Sequence, residues 1–122
     1  MLRRDDWTDE KNLETFGKCS NPNWHGHNYV LFITIKGEPS DETGFVANLS
    51  EVSKIVKSQV LDLVDHKNLN LDVPFLSGKI TSTENLAIGI WKQIKSEIEK
   101  LDCKLHCVKL QETENNSVEY YG

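Results

Sequence analysis

The chain has 122 residues, 38% of them hydrophobic and 27% charged, with a formal net charge of −5. That length suits one domain with a thin core that assembly would help, and the acidic balance excludes the basic footprint of a nucleic-acid binder. No apolar run approaches the roughly 20 residues that span a bilayer, so no membrane partner is expected. The three cysteines, an odd number without a Cys-x-x-Cys pair, argue against a disulfide framework and for a reducing, cytoplasmic setting. Arg3 and Arg4 are followed by no apolar segment, so no signal-peptide pattern is visible.

In chain order, Trp7 to Phe16 reads as one short helical piece capped by Thr8. Asn21-Pro22-Asn23 is turn chemistry. Tyr29 to Lys36 is the clearest strand: Tyr29, Leu31, Ile33 and Ile35 share one face, Val30, Phe32 and Thr34 the other. After a polar connection, Phe45-Val46 is a short strand candidate. Asn48-Leu49-Ser50-Glu51 resembles a capping box, and Leu49, Val52, Ile55, Val56, Val60 and Leu63 make 49–64 an amphipathic helix. Residues 65–74 are expected to be a loop. Thr81-Ser82-Thr83-Glu84 reads as a second capping box, opening a helix over about 83–100 with Leu86, Ile90, Ile94, Ile98 and Leu101 as its stripe. Strands follow at 105–112 and 117–121, with a turn at 114–116. Strand, helix, helix, strand, strand predicts an α+β fold, an antiparallel sheet with helices on one face.

Several side chains could carry chemistry. His25 and His27 flank Gly26. In an extended chain they point the same way, which suits a tetrahedral zinc; a pair of surface histidines before a strand has the same spacing. Cys19, six residues before His25, would be a base or nucleophile beside a cation and a small buried hydrophobe otherwise. Cys103 and Cys107 fit the buried reading. They are expected to share a strand face, with His106 on the other. Asp65-His66 is either a carboxylate holding an imidazole in one tautomer or a helix C-terminus with a favourable histidine. Glu112 shares a face with Val108 and Leu110 by period 2, a costly place for a carboxylate unless it is paired or binds a ligand. Thr83-Glu84 by itself means helix capping.

Taken together, these segments resemble the 6-pyruvoyl-tetrahydropterin synthase family. The resemblance rests on Phe16-Gly17-Lys18-Cys19, Asn21-Pro22-Asn23 and His25-Gly26-His27-Asn28-Tyr29. It continues through Asn48-Leu49, Leu63 to Leu69 and Asp72-Val73-Pro74, and ends with Ser82-Thr83-Glu84-Asn85, Ile90-Trp91 and Glu112-Thr113. It implies a tunnelling fold: a four-stranded antiparallel sheet with two helices on one face, three subunits closing their sheets into a β-barrel, and two trimers stacking. The implied substrate is 7,8-dihydroneopterin triphosphate, from which triphosphate is eliminated as the side chain rearranges. By position, Cys19 matches the general base, and Asp65 and His66 the pair that works with it. Glu112 matches the carboxylate that anchors the pterin, Ser82, Thr83 and Glu84 the segment lining its pocket, and His25 and His27 two ligands of Zn2+.

One family feature has no match. The third zinc histidine precedes the Ser/Thr-Asp-Glu segment, here Thr8-Asp9-Glu10, by a distance that places it one residue before Met1. The expectation is a natural protein longer by roughly 15–25 residues, a strand plus a short lead; a genuinely short, impaired paralogue is the other reading. The five residues between Cys19 and His25 favour the pyruvoyl branch over 6-carboxy-tetrahydropterin synthase, which uses the same substrate. A non-catalytic pterin-binding subunit would also keep Glu112.

Overall fold

The computed structural model describes Asp6, Thr8, Glu10, Lys11, residues 28–64 and residues 73–122. Among the described residues three strands form an antiparallel sheet in the order β1 (Val30–Lys36), β2 (Lys104–Thr113), β3 (Asn116–Tyr120). Two helical segments pack on one face: α1 (Leu49–Val56), prolonged by a π turn over Lys57–Leu61 and a last turn Asp62–Val64, and α2 (Thr83–Glu99). The α+β class follows as expected. The fourth strand and the barrel implied by the resemblance are not part of what the described residues form.

The sheet face is decided by alternation. Leu31, Ile33 and Ile35 of β1 lie opposite Leu110, Val108 and Leu105 of β2, and all six belong to the core. From the helices come Val52, Val56, Val60, Leu86, Ile90, Ile94 and Ile98, with Ile94, Ile98 and Val60 wholly inaccessible. The residues Val52, Val56 and Val60 recur by four, a spacing that drifts by roughly 40° per step around a 3.6-residue helix. A π turn takes more residues per turn and offsets that drift, so Val60 still reaches the core. Its widened ladder is met from outside: Gln93 Nε2 of α2 donates to the Gln59 carbonyl at 3.1 Å.

Helix α2 also carries the 3-10 turn Pro74–Leu76 against its flank. A Cβ on Gly89 would fall 2.8 Å from Phe75 Cδ2. Glycine in a helix interior costs roughly 1 kcal/mol against alanine, and here it lets the turn seat on the helix. At the other edge Trp91 stands perpendicular to Tyr120, ring centroids 5.5 Å apart, and ties β3 to α2.

Several expectations are corrected. Phe45-Val46 is no strand: Ser40 N–H donates to the Phe45 carbonyl and Gly44 N–H to that of Ser40, both at 2.7 Å, closing a loop on itself. Leu49 is not on the buried stripe but 73% exposed, because it opens the helix before the first turn meets the core. Cys103 and Cys107 do not share a strand face. Thr34 pairs with Cys107 and Ile35 with Leu105, so His106 is the extra residue of a β-bulge and phase is lost across it. Cys103 precedes the strand and lies in the core, its thiol pushed up by burial and then by Glu99 and Asp102. Cys107 is buried on the opposite face. The early helical piece is described only at Thr8, Glu10 and Lys11; there Lys11 N–H does donate to Thr8 Oγ1, at 3.2 Å.

On the face away from the helices Phe32 is exposed with Lys109 Nζ 5.5 Å from its ring centroid. There too Tyr121 O–H donates to Glu119 Oε2 at 2.6 Å. That bond, reinforced by Cys107, raises the phenol from about 10 to about 12. A raised folded value means that the bond's stabilisation is complete below the ordinary tyrosine range and is lost as pH rises through about 12. Ultraviolet titration of tyrosinate should therefore show one late-ionising group that moves back toward the ordinary range in Glu119→Gln. An unchanged midpoint would remove Glu119 as the cause.

Candidate functional site

The described site residues gather where the head of α2 meets the far end of β2. Ser82 is the N-cap, in an extended conformation, with Oγ accepting from Asn85 N–H at 3.1 Å. The capping box thus starts one residue later than expected. Asn85, not Glu84, occupies the third helical position, and its Nδ2 donates to the Ile80 carbonyl at 2.8 Å. Glu84 is left exposed on the first turn, where its charge complements the helix dipole. Ser82→Ala should cost about 1 kcal/mol, as N-cap deletions do. Chemical denaturation measures it, and an unaltered midpoint would show that Asn85 alone suffices.

Glu112 arrives from the sheet. Gln111 pairs with Ser117 and Thr113 with Asn116, so Glu112 is the extra residue of a second bulge, immediately before the Glu114-Asn115 turn. Its carboxylate lies on the helix side, half-buried. Oε2 accepts from Thr83 Oγ1 at 3.0 Å and from Asn116 Nδ2 at 3.1 Å. Thr83 is buried and Asn116 exposed, so the carboxylate spans from the packed helix head to the hairpin rim. Two donors from separate elements place the carboxylate beside the helix N-terminus. A carboxylate placed there can accept from a planar ligand edge that presents N–H donors.

The structure brings Thr83 and Glu112 into contact and places Ser82 and Glu84 beside them on the first turn. Cys19, His25, His27, Asp65 and His66 lie outside the described residues. Among the described residues no three His, Cys, Asp or Glu side chains could hold one metal ion. A cleft among the described residues, lined by Pro39, Phe45, Asn48 and Asp102 among others, lies by the C-terminal end of α2 and contains none of the site residues. Asn116 was read from the sequence only as a turn residue. Nothing in its local pattern signals a partner, because the contact depends on the bulge at Glu112.

An α+β subunit, a three-stranded antiparallel sheet among the described residues with helices on one face and a carboxylate pinned at a helix head, is the class that this geometry defines. The family described as 6-pyruvoyl tetrahydropterin synthase matches residues 4–122. The 6-pyruvoyl tetrahydrobiopterin synthase of Dictyostelium discoideum is 47% identical over 113 residues, 93% of this chain and 80% of that one. The Homo sapiens protein of the same name is 43% identical over 115 residues, 94% of this chain and 78% of its own length. The solved structure of Caenorhabditis elegans 6-pyruvoyl tetrahydropterin synthase superposes with a TM-score of 0.90 at 40% identity, covering 99% of this chain and 85% of that one. The chain belongs to the 6-pyruvoyl tetrahydropterin synthase family.

Proposed function

We propose that this chain is a 6-pyruvoyl tetrahydropterin synthase, a lyase that eliminates triphosphate from 7,8-dihydroneopterin triphosphate and rearranges the side chain to the 6-pyruvoyl product. The observation that carries the reading is the family match over residues 4–122, together with similarity at 43–47% identity to proteins of that name. The pinned carboxylate of Glu112 agrees with it.

In this reading Glu112 accepts hydrogen bonds from the amino-pyrimidinone edge of the pterin, while Ser82, Thr83 and Glu84 line the same pocket. Orientation of the ring fixes where the side chain lies, and so which C–H bonds face the base. Cys19 Sγ, as thiolate, takes a proton from a side-chain carbon, and the His66 imidazole, held in one tautomer by Asp65, receives and returns protons. Two imidazoles flanking a glycine form a donor set that zinc accepts. His25 and His27 would hold Zn2+, which when bound polarises the side-chain hydroxyl and carbonyl oxygens and acidifies the neighbouring C–H bonds. The working form is a homo-oligomer, a trimer or a dimer of trimers. Support comes from the exposed Val30 and Phe32 on β1, an outer strand of the described sheet. A cytoplasmic location suits the free, buried Cys103 and Cys107. Among the described residues no helix is long and apolar enough to cross a membrane.

Incubation with 7,8-dihydroneopterin triphosphate tests the reading. Release of triphosphate with formation of the 6-pyruvoyl product is the expected result. Acetaldehyde release would instead assign the 6-carboxy branch, and pterin binding without turnover would assign a binding subunit.

A further inference from the structure

We propose that Gln93 is a positioning residue for proton transfer. Its side-chain amide holds the π turn of α1 and so fixes the phase in which that helix ends, immediately before Asp65 and His66 in the chain. The proposal rests on the reading of Asp65 and His66 as the proton-transfer pair and deepens it.

An α-helix turns by about 100° per residue. Leu63, eleven residues after Val52, would therefore come round to within roughly 20° of it in an uninterrupted helix. The π turn changes that. Asp62 N–H reaches back five residues to the Lys57 carbonyl, one more than the α ladder spans, so the residues after it lag by one position. Val64 takes the place that Leu63 would have had: it is Val64 that packs against the buried cluster. Without the slip, the chain beyond Val64 would leave the helix about 100° further round.

The slipped ladder is held from outside. Gln93 Nε2 donates to the Gln59 carbonyl at 3.1 Å, and both residues are half-buried. Among the described elements, the backbone of the last turn, Asp62–Val64, approaches only the π turn, so that turn is the last part of α1 to meet α2. The chain returns to the same helix after residues 65–72. Val73 is buried, and the Pro74–Leu76 turn seats Phe75 against Gly89. Gly89 and Gln93 are four apart on α2 and share a face. One strip of α2 thus receives the chain on both sides of the segment that begins with Asp65 and His66. Of its two contacts, the one at Gln93 is a single directional bond that one substitution removes.

The test uses the full chain, with 7,8-dihydroneopterin triphosphate as substrate and neopterin as binding probe. Gln93→Met keeps the volume and removes the donor. It should lower kcat by roughly three- to thirty-fold, since a small misplacement of a proton-transfer group costs rate steeply. KM and neopterin affinity should stay within about two-fold, because Gln93 lies ten residues beyond Thr83, about 15 Å along the helix from the contact with Glu112. Gln93→Lys restores a donor of similar reach and should recover part of the loss. Amide hydrogen exchange over 57–64 should quicken in Gln93→Met while the melting temperature falls by only a few degrees. In the Asp65→Asn background Gln93→Met should change kcat by less than about two-fold, because both substitutions act on one pair. Full multiplication of the two effects, or equal losses in kcat and neopterin affinity, would overturn the proposal and leave Gln93 a packing residue. Wild-type kcat in Gln93→Met, with kcat lowered in Asp65→Asn, would overturn it while sparing the reading of Asp65 and His66. Wild-type kcat in Asp65→Asn would sink that reading and the proposal together, as would a wild type without turnover.

Discussion

Glu112→Gln is expected to lower kcat/KM for 7,8-dihydroneopterin triphosphate by roughly 10²- to 10⁴-fold, with KM carrying most of the change. The magnitude follows from chemistry. Hydrogen bonds to a charged group contribute about 1.5–3 kcal/mol each, and the anchoring role gives Glu112 two of them with the ring edge. Glutamine keeps one acceptor oxygen, which Thr83 and Asn116 can still meet, but replaces the other with an NH2 that opposes a ring N–H. Binding is lost while the local structure survives. The melting temperature should therefore stay close to that of the wild type, and neopterin titration should show the loss directly. A variant within three-fold of wild-type kcat/KM would remove Glu112 as the anchor. So would Gln and Ala variants that unfold equally, because the carboxylate would then be structural.

The second large effect concerns stability. Ile94→Ala should destabilise the fold by about 2–5 kcal/mol, the range for truncating a large aliphatic side chain in a packed core. Ile94 is wholly inaccessible and sits in the middle of α2, in the one core that joins both helical segments to β1 and β2. Removing three carbons there loses transfer energy and leaves a cavity that neighbours on three elements cannot all close. The melting temperature should fall on the order of 10 °C. Protein concentration must be held constant, because an oligomer's melting point depends on it. A loss under 1 kcal/mol would mean that α2 relaxes onto the sheet. Glu112 and Thr83 meet one end of the same helix, so such relaxation would also appear as altered neopterin affinity.

The legibility of the fold follows from the range of each signal. Helical spacing placed α2 within a residue of its observed ends, and alternation placed β1 and its inward Leu31, Ile33 and Ile35. These are local periodicities read by a nearby core. Phe45-Val46 misled because two β-favouring residues carry no information about a partner strand, and the chain there bonds to itself. The faces of Cys103 and Cys107 misled because period 2 holds only while pairing is regular, and His106 breaks it. The capping box slipped by one because Thr81, Ser82 and Thr83 can all cap, and only the packing of α2 selects among them.

The sequence by itself determined the family, the two helices, the alternation of β1 and the candidacy of Glu112. Those rest on residue types at short spacings and on motifs in a fixed order. Only the tertiary structure decided that Glu112 stands out of register on a bulge, that Thr83 and Asn116 close on the same oxygen, and that Gln93 meets the π turn at Gln59. Each is a contact between elements distant in sequence or a local break in register. Its energy depends on how strands align and where a helix docks, which no short window of sequence contains.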